Sequence, residues 1–136
     1  MARKAVIDKV MAILAAQWSH CAVHGPNTTA ETPQDGSPFI IVQYPYARAQ
    51  QMSFGDPGNN NWRDEGAFRF VIHVPWGDGI DQASAWADEL AAMFRGKNFD
   101  VFQTWAPSAP ATDDRNSAAN YYVLSIAVPY WHDYLG

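Results

Sequence analysis

The sequence predicts an α+β fold: a two-layer sandwich, with two helices packed on one face of a mainly antiparallel sheet of four or five strands. Three observations point there. Residues 67 to 74 (AFRFVIHV) are β-branched and aromatic, as a half-buried pleated surface prefers, and Phe68, Phe70, Ile72 and Val74 share one parity. Past Pro75 and a turn at Trp76, Gly77, Asp78 and Gly79, the period changes. Ile80, Ala83, Trp86, Ala87, Leu90, Met93 and Phe94 recur at three- and four-residue steps and form one apolar stripe on a helix. The order along the chain is helix, strands, helix, strands, which segregates the helices to one side.

Residues 3 to 18 form the first helix, with Val6, Ile7, Val10, Ile13, Leu14 and Trp18 on one face, and it frays near 19 to 22. The stretch 24 to 38, with Gly25, Pro26 and a polar run, is a loop. Residues 39 to 44 (FIIVQY) are nearly all apolar, which implies cover on both faces, and Pro45 ends or bends this strand. Ala47, Ala49 and Met52 alternate with Arg48, Gln50 and Ser53, as on an exposed or edge strand. The tract 55 to 61 (GDPGNNN), inside a loop spanning 54 to 62, is a strong turn signal. Residues 39 to 74 therefore read as two or three antiparallel strands with a long, mobile connection.

Asp78 is the expected N-cap of the second helix. Asp81, Asp88 and Glu89 supply negative charge to its N-terminal half, and Arg95, Gly96 and Lys97 end it. Residues 98 to 103 (NFDVFQ) read as a short strand and 105 to 120 as a loop rich in Ala, Pro, Ser and Asp. The last strand, 121 to 130, sets Tyr121, Val123, Ser125 and Ala127 opposite Tyr122, Leu124, Ile126 and Val128. The aromatic tail to Gly136 is expected to dock on a neighbour. Val71 and His73 lie on the mixed face of the sheet, which is a candidate for assembly.

Composition narrows the functional classes. A chain of 136 residues with 48% hydrophobic and 17% charged residues forms one domain, 1–136, with a real core rather than a disordered chain. Six Trp are more than such a core holds, so some belong at interfaces. The net charge of -5 argues against a dedicated nucleic-acid binder. The single cysteine, Cys21, excludes an intramolecular disulfide and fits a reducing compartment. No targeting segment stands out, and the apolar runs are too short to span a bilayer, so the chain reads as soluble and cytosolic when made.

Few residues suggest chemistry. His20, Cys21 and His24 form the one metal-like cluster, but structural zinc wants four ligands, and His73 and His132 sit in other elements. The bland alternative is a helix end whose imidazoles meet the last carbonyls. Cys21 with His24 also raises nucleophilic catalysis, with no third member to orient the pair. Gly77 and Gly79 precede a helix but lack phosphate-loop spacing, and Asp78 and Asp81 repel an anion. The neighbouring carboxylates Asp88 and Glu89, and Asp113 and Asp114, are not placed as acid/base couples. The residues themselves therefore indicate no enzyme, cofactor or metal site.

Arg63 and Gly66, the strand from Phe68 to Val74 closed by Pro75, then Gly77, Gly79, Ala83, Ala87, Asp88 and Phe94 carry a resemblance. The pattern resembles the tail terminator, or head–tail joining, proteins of long-tailed bacteriophages and gene transfer agents, a group that includes the lambda U protein. In element order the likeness covers nearly the whole chain, and in specific residues about a quarter. It implies a structural protein without a cofactor, assembled in the bacterial cytoplasm and ending at the tail–head junction of the particle. It implies a ring, generally of six copies, which caps the tail tube and meets the tube protein and a head connector or neck protein. DNA then passes the lumen without specific binding, no membrane is involved, and an acidic lumen suits that passage.

A closed ring needs two different patches per subunit. The segment 46 to 66 and the tail 130 to 136 are the candidates, with Arg48, Phe54, Trp62, Arg63, Trp76, Trp131 and Tyr134 as interface residues, since aromatic and Arg side chains carry interface energy. Alternatives are another neck or tail-completion component, a small cytosolic enzyme and a ligand-binding domain with an aromatic pocket.

Overall fold

The structure, a computed structural model, describes residues 1–28, 33, 35–77, 79–113 and 121–136. Its elements run α1 (Lys4–Gln17), β1 (Ala22–His24), β2 (Phe39–Gln51), β3 (Asn61–Pro75), α2 (Asp81–Phe94), β4 (Gln103–Thr104), β5 (Ala111–Thr112) and β6 (Tyr121–Leu135). The architecture is the expected α+β arrangement, with more strands than the sequence indicated. One six-stranded sheet has the order β1-β2-β3-β6-β4, and β5 also pairs with β6. Only the β1–β2 pair is parallel.

Strand β3 is the spine. It pairs with β6 along its whole length, from Asn61↔Leu135 to Pro75↔Tyr121. It pairs with β2 from Phe39↔His73 to Gln51↔Trp62. Phe68, Phe70, Ile72 and Val74 point to the helices and are buried with Val6, Val10 and Leu14 of α1 and Ala83, Ala87, Leu90 and Phe94 of α2. Leu124, Ile126 and Val128 of β6 join the same core. Trp18 meets Trp86 edge to face, ring centroids 5.7 Å apart, and ties the end of α1 to α2.

Pro45 bends β2 rather than ending it. The register slips between Gln43 and Tyr46, so Tyr44 and Pro45 face the single residue Phe68, a bulge where a missing N–H is tolerated. The extra residue reverses the parity of the strand. Tyr44 is buried in the helix-side core, whereas Tyr46 and Arg48 follow on the opposite face. Gly66 sits at this crowded point: a Cβ there would lie 2.5 Å from the Tyr46 carbonyl oxygen and 2.9 Å from the Tyr130 hydroxyl.

Several expectations are corrected. The segment after α1 is not a frayed helix end. Trp18 closes α1 by donating its N–H to the Leu14 carbonyl at 2.8 Å, and Ala22–His24 then pairs with β2. Residues 98 to 103 make a tight turn, not a strand. Asn98 Oδ1 accepts the Asp100 N–H at 2.9 Å and Asp100 takes φ 68°, leaving only Gln103–Thr104 as β4. The expected loop 105 to 120 contributes the short β5. Residues 39 to 74 form two antiparallel strands, as expected, and the described connection 52–60 closes them into one long hairpin.

The tail continues β6 to Leu135, and Asn60 and Gly136 exchange two backbone hydrogen bonds at 3.0 Å. Asp78 lies outside the described residues. The N-cap position of α2 is Ile80, half exposed and without a side-chain cap, so Ile80 leaves the buried stripe. At the other end of α2, Thr104 Oγ1 accepts the Lys97 N–H at 3.0 Å and donates to the Phe94 carbonyl.

Gly66→Ala should lower the unfolding midpoint in urea by an amount equivalent to about 1–3 kcal/mol, because backbone atoms cannot retreat from the new methyl. Gly25→Ala, whose Cβ would meet only Met11 at 3.8 Å, should leave it nearly unchanged.

Candidate assembly surface

The sheet has two unlike halves. In the half near β1, the helix-free face is covered within the chain. Phe39, Val71, Tyr121 and Val123 cluster there, and His73 stacks on Phe39 with centroids 4.2 Å apart. The Tyr121 hydroxyl donates toward the Pro33 and Ser37 carbonyls at 3.1 and 2.9 Å, tying these two residues to this cluster. The expectation that Val71 and His73 form an exposed assembly face is therefore corrected, since both are buried.

The other half is a three-stranded ribbon made from 46–51, 61–67 and 130–135. Its helix-free face carries Tyr46, Arg48, Arg63, Glu65, Trp131 and Asp133. Arg63 grips Asp133 with two hydrogen bonds, 2.7 Å from Nε and 3.0 Å from an Nη, and its guanidinium lies 3.9 Å from the Trp131 ring centroid. Trp105 meets Trp131 edge to face at 4.5 Å. The Arg63 guanidinium holds the Asp133 carboxyl below its ordinary range, and the carboxylate raises Arg63 in turn. A shallow depression of 220 Å³ runs between Tyr46, Arg48, Glu65, Trp105 and Trp131. Arg48 is exposed and has no ion-pair partner among the described residues.

On the helix side, Arg3 pins the ribbon. Its Nε donates to the Asp64 carboxylate at 2.7 Å and an Nη donates to the Tyr134 hydroxyl at 2.8 Å, which sets Tyr134 at the start of α1. Asp64 is 2% exposed, and its other oxygen, like the Tyr44 and Tyr130 hydroxyls, has no partner among the described residues. Burial and the Asp64 charge push Tyr130 up to about 12. Trp62 donates its indole N–H to the Gly136 carbonyl at 3.1 Å. The structure thus gathers Arg48, Trp62, Arg63, Trp131 and Tyr134 on one ribbon, with Phe54 at its hairpin tip, 91% exposed. Trp76 stands apart at the far end of β3. It is 71% exposed and flanks a 280 Å³ cleft with Gly77, Gly79, Ile80 and Tyr122.

Sequence reasoning missed Arg3, Asp64 and Trp105. A helix-start Arg and a strand Asp give no local sign that they meet.

The residues singled out for chemistry are dispersed. His20 Nε2 lies 2.9 Å from a Glu89 oxygen and stacks on Trp86, whereas His24 faces Phe39. The alternative of imidazoles on the last helix carbonyls is replaced by these contacts. Cys21 takes a long hydrogen bond from the Trp18 indole, and burial raises its thiol, which disfavours the thiolate a nucleophile needs. His132 contacts the Val101 carbonyl at 2.6 Å. Among the described residues no three His, Cys, Asp or Glu side chains converge as metal ligands, and no helix is long and apolar enough to cross a membrane. Asp88 and Glu89 are exposed on α2; Asp114 lies outside the described residues.

The pattern of the family described as "Phage tail terminator protein" matches residues 2–130. The chain belongs to the phage tail terminator family. The family is a structural one, so the chain has a structural role in a phage tail and is a virion component. None of the curated proteins compared with it matches. A solved structure of 18% sequence identity is similar over 97% of this chain and 96% of its own, with a TM-score of 0.60, a likeness that shows the fold alone.

Two measurements probe the pins of the ribbon. Arg3→Ala strands the buried Asp64 carboxylate without its cation and should cost about 1–3 kcal/mol in urea unfolding, and adding Asp64→Asn should recover much of it. The pair of Arg63 and Asp133 predicts a small acid effect. A lowered Asp133 pKa stabilises above the unfolded value and is lost as pH falls through the folded one. Wild type should therefore exceed Asp133→Asn at pH 7 by under about 1 kcal/mol, since 57% of the Asp133 side chain is exposed and solvent screens it. The difference should shrink as pH falls below the ordinary aspartate value of about 3.9.

Proposed function

We propose that this chain assembles into a closed ring, six copies in the family's usual arrangement, that caps the tail tube of a phage or gene transfer agent. The ring stops tube growth and presents the surface that a head connector or neck protein meets at the tail–head junction. The observation that carries this reading is the ribbon. One half of the sheet is long, rigidly tied at both ends and open on its helix-free face. It ends in Phe54, a large apolar side chain 91% exposed.

Arg48 and Phe54 on one side of the ribbon, and Trp131 and Tyr134 on the other, with Trp62 and Arg63 between them, supply the two different surfaces a head-to-tail ring needs, and Trp76 with its cleft is left to meet the tube or the neck protein. The net charge of -5 per copy makes the assembled ring acidic, so duplex DNA slides past without the phosphate contacts that dominate its affinity for proteins.

Native mass spectrometry over a concentration series, with and without purified tail tubes, tests this reading. A six-subunit species, or a species bound at the tube end, is expected. A chain that stays monomeric and ignores the tube would overturn it. Phe54→Ala and Arg48→Glu should weaken ring formation or tube-end binding at least tenfold while the thermal midpoint stays within about 2 °C, since both side chains are exposed.

A further inference from the structure

We infer that neighbouring copies join by main-chain pairing, the free edge of β6 in one copy adding to the free edge of β2 in the next. The inference rests on the ring reading and specifies its contact. Among the described residues, β1 covers β2 only at 39–41, and β4 and β5 cover β6 only at 124–125 and 130–131. Below those points, 46–51 and 133–135 are outer edges of the ribbon.

The printed bonds show which atoms face out. Met52 donates its N–H to the Asn61 carbonyl, so the bonded pairs of β2 and β3 continue at Gln50 with Arg63 and Arg48 with Glu65. The peptide groups of Ala47, Ala49 and Gln51 then point away from the sheet. On the other side, Asn60 and Gly136 bond reciprocally, so Tyr134 and His132 face β3. Asp133 and Leu135 point outward. Pro129, Ala127 and Val123, of the same parity, already use their outward carbonyls for Trp105, Ser108 and Asp113.

Open edges of this length template further pairing unless Lys, Pro or inward charge blunts them. Residues 46–51 (YARAQQ) carry one charge, Arg48, and no Pro; the β6 edge carries Asp133. The two edges are thus complementary in sign. Both strands run antiparallel to β3, so they run in the same direction, and copies related by rotation bring them together as a parallel pair. Setting Asp133 beside Arg48 puts Leu135 beside Gln50. Within one chain Asp133 lies level with Gln50 across β3, so this register is staggered by two residues, and closing strands into a ring requires such a stagger.

The test uses Gln50→Cys with Leu135→Cys in a Cys21→Ser background, oxidised as assembled rings or with tail tubes present. Within one chain the two sites are two strand spacings across and two residues along the strands, about 12 Å apart, beyond the about 7 Å a disulfide spans. Any bridge therefore joins two copies. The expected result is a covalent ladder up to the full ring on a non-reducing denaturing gel, with each single variant remaining a monomer.

A ring seen by native mass without this ladder overturns the edge pairing and leaves the ring reading standing. No ring and no ladder even with tubes overturns both. Should the double variant fail to fold, Ala49→Pro serves. Its outward N–H has no acceptor among the described residues, so the monomer should keep its thermal midpoint while assembly weakens at least tenfold. Assembly of Ala49→Pro equal to wild type would overturn the pairing.

Discussion

The pairing of β3 with β6 over fifteen residue pairs is the constraint on which the rest depends. Its register sends every second β3 side chain from Asp64 to Val74 toward the helices and the intervening ones to the other face. The bulge in β2 then adjusts the neighbouring strand to that fixed frame. Without it, Tyr44 and the residues beyond would keep one parity, and Arg48 would point to the helix side. Gly66 is the local requirement of this crossing, because Tyr46 and Tyr130 crowd it from both neighbouring strands.

The same three strands serve two purposes along their length. In one half, both faces are closed by side chains, with the Phe68 cluster on the helix side and Phe39, His73 and Tyr121 on the other. In the other half, α1 reaches only far enough for Arg3 to hold Asp64 and Tyr134. The helix-free face there is organised by Arg63, clamped between Asp133 and Trp131. Such a surface is pre-ordered before any partner arrives, which reduces the entropy lost on association. A buried core at one end and an ordered, uncovered ribbon at the other is a division of labour that suits the ring proposed above.

Much of the fold was legible in the sequence. Both helices, the core face of β3 and the bend at Pro45 follow from periodicity and from the chemistry of proline, because those signals are local. What escaped is non-local. Ala22–His24 is too short to show a period and becomes a strand only because β2 lies beside it. On the sequence alone the last strand ends at Tyr130, yet Pro129 faces outward, where no N–H is needed toward β3, and β6 runs on to Leu135. The polar residues 61–65 and 131–134 lack apolar alternation because their outer face meets no core. Of the candidate interface residues, five fell together on the ribbon, Phe54 at its tip and Trp76 far from it. Arg3 and Asp64 were invisible, since 61 positions separate the two.

Hydrogen–deuterium exchange, read for the free chain and for the chain assembled on tail tubes, bears most directly on the ribbon as the assembly surface. Amides of 46–51 and 133–135 that exchange freely in the isolated chain should slow markedly on assembly, while those of α1 and α2 stay unchanged. Protection that appears on the helices and leaves both ribbon edges exchanging as before would contradict it.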